Sequence, residues 1–538
     1  MIARRYHDRT AHSPASVRAS PHTLDWDVKP FPFKIYTELP ALALPRDLDA
    51  LAADTLAALA RPAARADRLG LAELAAVLYH AAGVTRKKTY PGGGEVLFRA
   101  APSTGALYQT EVYVVAGAVA GLEPGLYHFG PGDFALRRLR AGDLREALAR
   151  AAADATLARR AATVVLTAIY WRNTWKYQAR GFRHLFWDSG TLLANLLAAA
   201  DALGQAPRLL AGFVDADVNR LLGVDPAREA ALELVLLGPE GAAAPPAGAL
   251  AEVAHPYMPL SSAEVDYPLL REVHAATSLA DADAVRAWRA ACASWPAGGG
   301  RAAPPSRGRD VAGSGAGGPP PRPVLSGTDP TVPLPPPRAE SGRGLGATIQ
   351  RRGSTREFSH EPLAADELAT ALRAATRGLA ADVPAGCVDL YLVVNAVTGV
   401  APGAYAYDAG AHALEAVRLG DFRRQSAHLC LEQPLGGDAA AVLYFLAPLD
   451  ALLAACGERG YRLANLAAGV AGGRAYLAAY ALGFGASGLT FYDREVTDFF
   501  APHAAGREAI FVTALGRSAR AARATIEANV TLPGRPAR

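Results

Sequence analysis

The sequence predicts an α+β fold built twice in tandem, and three observations predict it. Gly125–Asp143 (GLYHFGPGDFALRRLRAGD) is answered by Gly403–Asp421 (GAYAYDAGAHALEAVRLGD) at an offset of 278. Ala179–Arg183 (ARGFR) is answered by Glu458–Arg462 (ERGYR), Gly190 by Gly469 and Gly204 by Gly483, all at 279. The closing apolar runs end at Leu237-Gly238 and Leu515-Gly516, back at 278. A register held over the length of a domain marks a duplicated domain rather than a short-period solenoid. Within each copy, antiparallel strand signals mix with long helices, which argues for α+β and against a doubly wound sheet.

Each element has its own signal. Helical periodicity covers LAELAAVLYHAAG (residues 71–83) and DELATALRAAT (366–376), each ahead of a β-rich run at Val112–Val115 or Leu390–Val394. A hairpin follows at GLYHF and GAYAY, then a helix, a buried strand (Thr163–Ile169; Ala441–Phe445), a long Ala/Leu helix and a final strand. Between the copies, residues 296–342 are dominated by Pro, Gly, Ser and Arg; such a segment buries too little apolar surface to offset its ordering entropy and reads as a linker. The chain therefore divides into an N-terminal extension (1–60), repeat 1 (61–240), a helical connecting segment (241–295), the linker (296–342), repeat 2 (343–518) and a polar tail (519–538). Within the connecting segment, Pro259–Leu279 reads as helical and packed between the copies.

Composition narrows the function. The 538 residues are 51% hydrophobic and 20% charged, which excludes a wholly disordered chain. A net charge of +4 on this length gives nucleic acid no support. Apolar runs are broken by Arg, Asp or Gly before they could span a bilayer, and the opening MIARRYHDRTAHS lacks the apolar core of a secretory signal. The four cysteines (Cys292, Cys387, Cys430, Cys456) form no CxxC, so neither a disulfide framework nor a zinc site is expected, and a reducing cytoplasm is the expected home. The histidines show no metal-ligand spacing.

Only five of the 55 basic residues are lysines: Lys29, Lys34, Lys87, Lys88 and Lys176. Arg keeps its proton in proteins whereas Lys can lose one, so a retained lysine is a candidate for chemistry. Lys176 and Tyr177 sit in RNTWKYQARGFR (Arg172–Arg183), where neighbouring cations and partial burial favour the neutral amine of a general base. In RAAPSTGALY (Arg99–Tyr108), Gly105 and Ala106 permit close backbone approach to a flat ligand edge and Arg99 adds a fixed charge. RRGSTREF (Arg351–Phe358) places Arg352, Ser354 and Arg356 at alternate positions, which in an extended segment offers two guanidinium forks and a hydroxyl to a phosphate monoester. GFGASG (Gly483–Gly488) matches GxGxxG but follows a helix instead of a strand, so it reads as a helix C-cap with a glycine-rich turn.

Together these strings resemble the SagB-type dehydrogenases of the nitroreductase superfamily: R-x-A-P-S-x-G-A-L-Y, E-x-Y-V-V, G-L-Y-H-F, R-x-x-x-K-Y-x-x-R-x-F-R, and D-x-G-x-x-x-x-N at Asp188, Gly190 and Asn195. RRGSTREF is similar to the superfamily's phosphate-binding signature, and YHDRTAHS (Tyr6–Ser13) to the SagB-type start. The resemblance implies an FMN-dependent fold in which two subunits intertwine and flavin lies between them. It further implies oxidation of azolines to azoles in ribosomal peptide natural products, with Lys176 and Tyr177 as the catalytic pair, a peptide or small-molecule substrate and partner biosynthetic enzymes.

The copies depart from the pattern in complementary ways. Repeat 2 reads ADVPAGCVDLYLVV where repeat 1 has its Pro-Ser loop, and Ala455 and Cys456 stand at the counterparts of Lys176 and Tyr177. Repeat 1 lacks the R-x-S-x-R string and ends LLGPEG, whereas repeat 2 ends ALGR with Arg517. The expectation is an intramolecular pseudodimer with one competent FMN site and one decayed site. The competent site combines Arg99, Pro102, Ser103, Gly105, Lys176 and Tyr177 with Arg352, Ser354, Arg356, Arg517 and the backbone of Gly488, Leu489 and Thr490. No metal is expected. Two other readings stand beside this one: an NAD(P)H-driven nitro, quinone or enone reductase, and a degenerate, non-catalytic peptide-binding scaffold.

Overall fold

Residues 1–46, 48, 51–89, 95–296 and 331–519 are described by the computed structural model; residues 297–330 of the expected linker and 520–538 of the tail lie outside them. Each repeat forms a seven-stranded antiparallel sheet. In repeat 1 the strand order is Ala41–Ala43, Ala135–Ala141, Gly125–Gly130, Thr110–Ala116, Arg160–Ile169, Glu229–Glu240, Arg208–Leu210. Repeat 2 repeats it as Thr331–Pro333, Ala413–Leu419, Gly403–Asp408, Asp389–Val394, Ala441–Ala447, Glu508–Gly516, Gly485–Gly488. Every residue of Thr110–Ala116, Arg160–Ile169 and Ala441–Ala447 is buried, because helices and loops cover both faces of the central strands.

The two halves meet through their long helices, Gly181–Ala202 and Gly460–Leu482. Glycine makes the crossing close. A Cβ on Gly190 would stand 2.7 Å from the Val470 nitrogen, and one on Gly469 2.6 Å from the Trp187 carbonyl oxygen. The duplicated glycines of the sequence thus touch each other's helices across the pseudo-twofold axis.

One segment behaves differently from its sequence reading. The last dozen residues assigned to the linker are ordered: Thr331–Pro333 pairs with Ala413–Glu415 as Ala41–Ala43 pairs with Ala135–Arg137. Val332 and Leu334 supply apolar contacts there, with Leu334 buried. The connecting segment contains two helices, Pro268–Ala276 and Ala282–Ala293.

The first of these is the counterpart of the N-terminal helix Ile2–Arg9. Arg183 donates to the His7 carbonyl (2.6 Å) and to Thr10 Oγ1 (3.0 Å), and Arg180 donates to the Thr10 carbonyl (2.5 Å). Across the pseudo-axis, Arg462 donates to the His274 carbonyl (3.1 Å) and Thr277 Oγ1 (2.8 Å), and Arg459 to the Thr277 carbonyl (2.9 Å). Each arginine pair closes on an aspartate of the other repeat: Arg180 and Arg183 on Asp493, Arg459 and Arg462 on Asp215. Both carboxylates are buried. Burial alone would raise their pKa values, but the paired guanidinium groups outweigh it and hold both below the ordinary carboxylate range, Asp215 at about 2. The arms therefore clamp each repeat onto the other.

Among the described residues no helix is long and apolar enough to cross a membrane.

Candidate active site

The Pro-Ser loop of repeat 1 is built around Asp188, which projects from the long helix. Its carboxylate accepts from Ser103 Oγ (2.6 Å), the Thr104 backbone N–H (2.9 Å), Thr104 Oγ1 (2.6 Å) and Gln109 Nε2 (2.7 Å). Burial pushes Asp188 up to about 6 despite these four donors. The Thr191 hydroxyl ties down the Pro102 carbonyl at 2.8 Å. Ser103 is therefore a structural member of the loop, and its oxygen also accepts from the Tyr108 backbone N–H (2.9 Å). Gln109 belongs to the same frame, its Nε2 also donating to the His184 carbonyl at 3.1 Å.

Gly105 lies in the left-handed region (φ 63°), and a Cβ there would stand 2.9 Å from the Tyr177 hydroxyl. Glycine is needed on both counts. The helix Tyr170–Tyr177 thus delivers Tyr177 against the loop, with its ring edge-on to His184 at 4.5 Å. Burial raises the Tyr177 phenol well above its ordinary range, so it keeps its proton and can donate a hydrogen bond. Lys176 is half-buried, its Nζ 5.4 Å from the Tyr177 ring centroid. Its pKa is lowered first by burial, then by the positive charges of Arg356 and Lys29. Arg356 belongs to repeat 2 and Lys29 to the N-terminal extension, so three separate parts of the chain converge on this amine.

The segment after the helix Leu345–Arg351 meets the start of the Pro-Ser loop. Arg352 is buried and donates from Nε to the Ala100 carbonyl (2.9 Å) and from a terminal nitrogen to the Arg99 carbonyl (2.8 Å). It bolts the loop of repeat 1 to repeat 2, and two of its three nitrogens are committed to protein. Ser354 Oγ lies 3.4 Å from the Tyr476 hydroxyl, which also receives the Gly488 backbone N–H. Gly488 is exposed; Leu489 is buried, with its N–H on the Val512 carbonyl (3.1 Å); Thr490 Oγ1 accepts from Gln433 Nε2 at 3.2 Å. Arg517 donates to both carboxylate oxygens of Glu367 at 2.9 and 2.7 Å, which neutralises much of the charge expected of it.

Arg99 is buried, donates to the Pro32 carbonyl at 2.6 Å and stacks 5.2 Å from the rings of Phe33 and Tyr108. Burial lowers its pKa to about 10. Its Nε and the neighbouring Thr110 hydroxyl are buried without a partner among the described residues. Both residues line a small cavity of about 20 Å³ with Pro102, Ser103, Tyr108 and Asp188. A larger cleft of about 580 Å³ borders Trp171 and Thr174 of the same helix, and Tyr267, but does not reach Lys176 or the Pro-Ser loop.

Sequence reading missed several participants. The terminal nitrogens of Arg86, in the strand Val84–Thr89 that pairs with Glu95–Arg99, lie 2.9 Å from where a Gly353 Cβ would stand, bringing a further cation to RRGSTREF. Its signal was present, since Arg86 adjoins two of the five lysines. Tyr108 collects the positive fields of Arg352, Arg99 and Arg86. The segment of the N-terminal extension around Asp25 roofs the site: Trp175 Nε1 donates to the Asp25 carbonyl (2.7 Å), and Trp26 packs edge-on against Trp175 at 5.3 Å. Four arginines and a lysine around one cleft can hold an anion with a flat, electron-accepting ring. The orphaned Arg99 Nε and Thr110 hydroxyl, and the side-chain-free edges of Gly105 and Gly488, suit such a ligand. No group of His, Cys, Asp or Glu among the described residues could hold a metal.

Comparison with known proteins gives the fold a name. The profile of the nitroreductase family matches residues 54–238 and again 349–516. A crystal structure of a nitroreductase-like protein from Anabaena variabilis aligns over 96% of this chain and 99% of its own, with 28% identity and a TM-score of 0.72, so its length spans both repeats. "Putative nitroreductase MJ1384" of Methanocaldococcus jannaschii is 31% identical over 157 residues, 29% of this chain and 75% of that protein. The trifolitoxin-processing protein TfxB of Rhizobium leguminosarum bv. trifolii is 29% identical over 172 residues, 31% of this chain and 46% of TfxB.

Proposed function

The chain belongs to the nitroreductase family of flavin-dependent oxidoreductases, and from that premise we propose that it is a SagB-type dehydrogenase. It binds one FMN in the cleft between the Pro-Ser loop of repeat 1 and RRGSTREF of repeat 2, and oxidises a peptide-derived azoline to an azole. The observation that carries this reading is the convergence on the Lys176–Tyr177 pair: Gly105 of the same repeat lies against the Tyr177 hydroxyl, and the charge of Arg356 from the other repeat acts on Lys176. The similarity to TfxB, named for trifolitoxin processing, supports a natural-product substrate.

Bound flavin supplies a two-electron, hydride-accepting centre beside the substrate. Arg86, Ser354, Arg356 and the remaining nitrogen of Arg352 would hold its phosphate, with Arg517 at the margin. Arg99, Pro102, Ser103 and Gly105 would face the ring from one side, and the backbone of Gly488, Leu489 and Thr490 from the other. Lys176, whose hold on a proton is weakened by burial and by Arg356, takes the acidic Cα proton of the azoline as that C–H bond breaks. Tyr177, which keeps its proton, donates a hydrogen bond to the substrate. Trp26 and the Asp25 carbonyl fix Trp175, the residue before the amine, on the helix that carries it.

FMN per chain, measured by absorbance after heat release, tests the reading. The expected result is a yellow protein with one FMN, a Lys176→Ala variant that stays yellow but loses most azoline turnover, and slow bleaching by NADPH. A colourless protein would overturn the assignment in favour of a scaffold, and rapid bleaching by NADPH without peptide in favour of a reductase.

A further inference from the structure

A tandem pseudodimer has two clefts related by its pseudo-axis, and the second is as informative as the first. Strand register sets the correspondence: Gly488 lies opposite Thr513 as Leu209 lies opposite Val235, so the turn that begins at Gly488 in repeat 2 is Leu209–Gly212 in repeat 1. Applying 279 to Lys176 and Tyr177 gives Ala455 and Cys456 of repeat 2. In the first cleft Gly488 is exposed, and a Cβ there would meet nothing closer than Phe511 at 3.5 Å.

In the second cleft the same turn is sealed. The Leu209 N–H donates to the Ala380 carbonyl (2.9 Å) and the Asp382 N–H to the Leu209 carbonyl (3.3 Å), which zips the repeat 2 loop onto the repeat 1 strand. The backbone N–H groups of Ala211 and Gly212 donate to the two carboxylate oxygens of Asp382, at 2.6 and 3.1 Å. Arg289 closes the arrangement, with Nε on Asp382 (2.9 Å) and a terminal nitrogen on the Gly212 carbonyl (2.7 Å).

Arg289 is carried by the helix Ala282–Ala293, which begins with Asp281 accepting from the Ala284 N–H at 2.8 Å. The preceding residue, Trp288, lays its indole against Gly212, with Cζ3 2.4 Å from where a Cβ would stand. Trp288 is 6% exposed, and Arg459 stacks 5.9 Å from it. One turn on, Cys292 interacts with Cys456, the residue at the Tyr177 position. A flat aromatic ring, an acceptor pair for two backbone N–H groups and a balancing cation thus occupy the counterpart of the first cleft.

We infer that the helix Ala282–Ala293 is a built-in occupant of the second cofactor cleft, with Trp288 in the place of a flat ring and Asp382 in the place of its acceptor edge. The connecting segment is then a plug held in cis, and the chain works as an asymmetric pair with one open and one closed site. Loss of the Pro-Ser loop and of the Lys-Tyr pair in repeat 2 follows naturally, since a closed cleft needs neither. Only the identity of the excluded ligand rests on the function proposed above.

Two measurements on the full-length protein test the plug. The first is FMN per chain at saturating FMN: a ratio of one is expected, and a ratio near two overturns the inference. The second does not depend on flavin. All four cysteines are buried, so the native protein should label slowly with a thiol reagent such as 5,5′-dithiobis(2-nitrobenzoate). Asp382→Ala removes the acceptor for two backbone N–H groups and for Arg289, and should accelerate labelling of Cys292 and Cys456 at least tenfold by local opening, with Cys430 unchanged. Arg289→Ala, at the rim of the plug, provides the same readout should the first variant fold poorly. Labelling as slow as in the unsubstituted protein in both variants would overturn the plug. A flavin-free protein with accelerated labelling would sink the proposed function and leave the plug standing.

Discussion

Asp493→Asn is the substitution whose cost follows most directly from the structure. Asp493 is 1% exposed and accepts from Arg180, Arg183 and the His12 backbone N–H. Replacing it by the isosteric amide leaves two buried guanidinium groups facing a neutral partner. Breaking a buried ion pair by removing one member costs about 3–5 kcal/mol. Its dependence on pH has a definite sign. The folded pKa is depressed, so the stabilisation is complete above the unfolded value of about 3.9 and is lost as pH falls below it. Urea titrations followed by tryptophan fluorescence should therefore show the full deficit between pH 5 and 7, and a deficit about 1 kcal/mol smaller at pH 3. Asp215→Asn, the pseudo-twofold mate, should behave alike, and the double variant should lose the sum, because the two clamps share no partner. A loss under about 1 kcal/mol at pH 7, or one that grows on acidification, would refute the reasoning.

Two further outcomes are expected. Arg356→Ala removes a positive charge that lowers the Lys176 pKa; that pKa should rise, and the ascending limb of the kcat/KM–pH profile should move to higher pH, whereas a limb that stays in place would detach Arg356 from Lys176. Gly469→Ala sets a Cβ 2.6 Å from the Trp187 carbonyl oxygen, backbone that cannot swing aside. Overpacking of about 1–3 kcal/mol exceeds the roughly 1 kcal/mol of helix propensity gained, so thermal melting should show a net loss of stability.

How much of this was legible beforehand varies with the kind of constraint. Helices, strands and the duplication followed from periodicity and from a constant offset, because burial on one face or both imposes its period on any sequence. The loop Arg99–Tyr108 and the segment Arg351–Phe358 stood out as strings whose residue types suit a ligand, and the fold brings them to a single cleft. Arg352 and Arg517 looked like free forks for an anion; the structure engages Arg352 with two carbonyls and Arg517 with Glu367, which lie 252 and 150 residues away in the chain. No local pattern announces such distant partners. The second arm was readable in principle from His7-x-x-Thr10 and His274-x-x-Thr277, but its offset of 267 breaks the register of the rest.

By itself, the sequence determined the kind of protein: two copies of one α+β domain, each missing what the other keeps. Local periodicity and residue chemistry carry that information, since each depends only on neighbours along the chain. Tertiary structure decided the use of those parts. It set Gly190 against the helix of Gly469, closed two arginine pairs on aspartates of the opposite repeat, and filled one of two equivalent clefts with Trp288. Those outcomes depend on which surfaces meet after folding, and a side chain's partner across an interface leaves no periodic trace in the sequence.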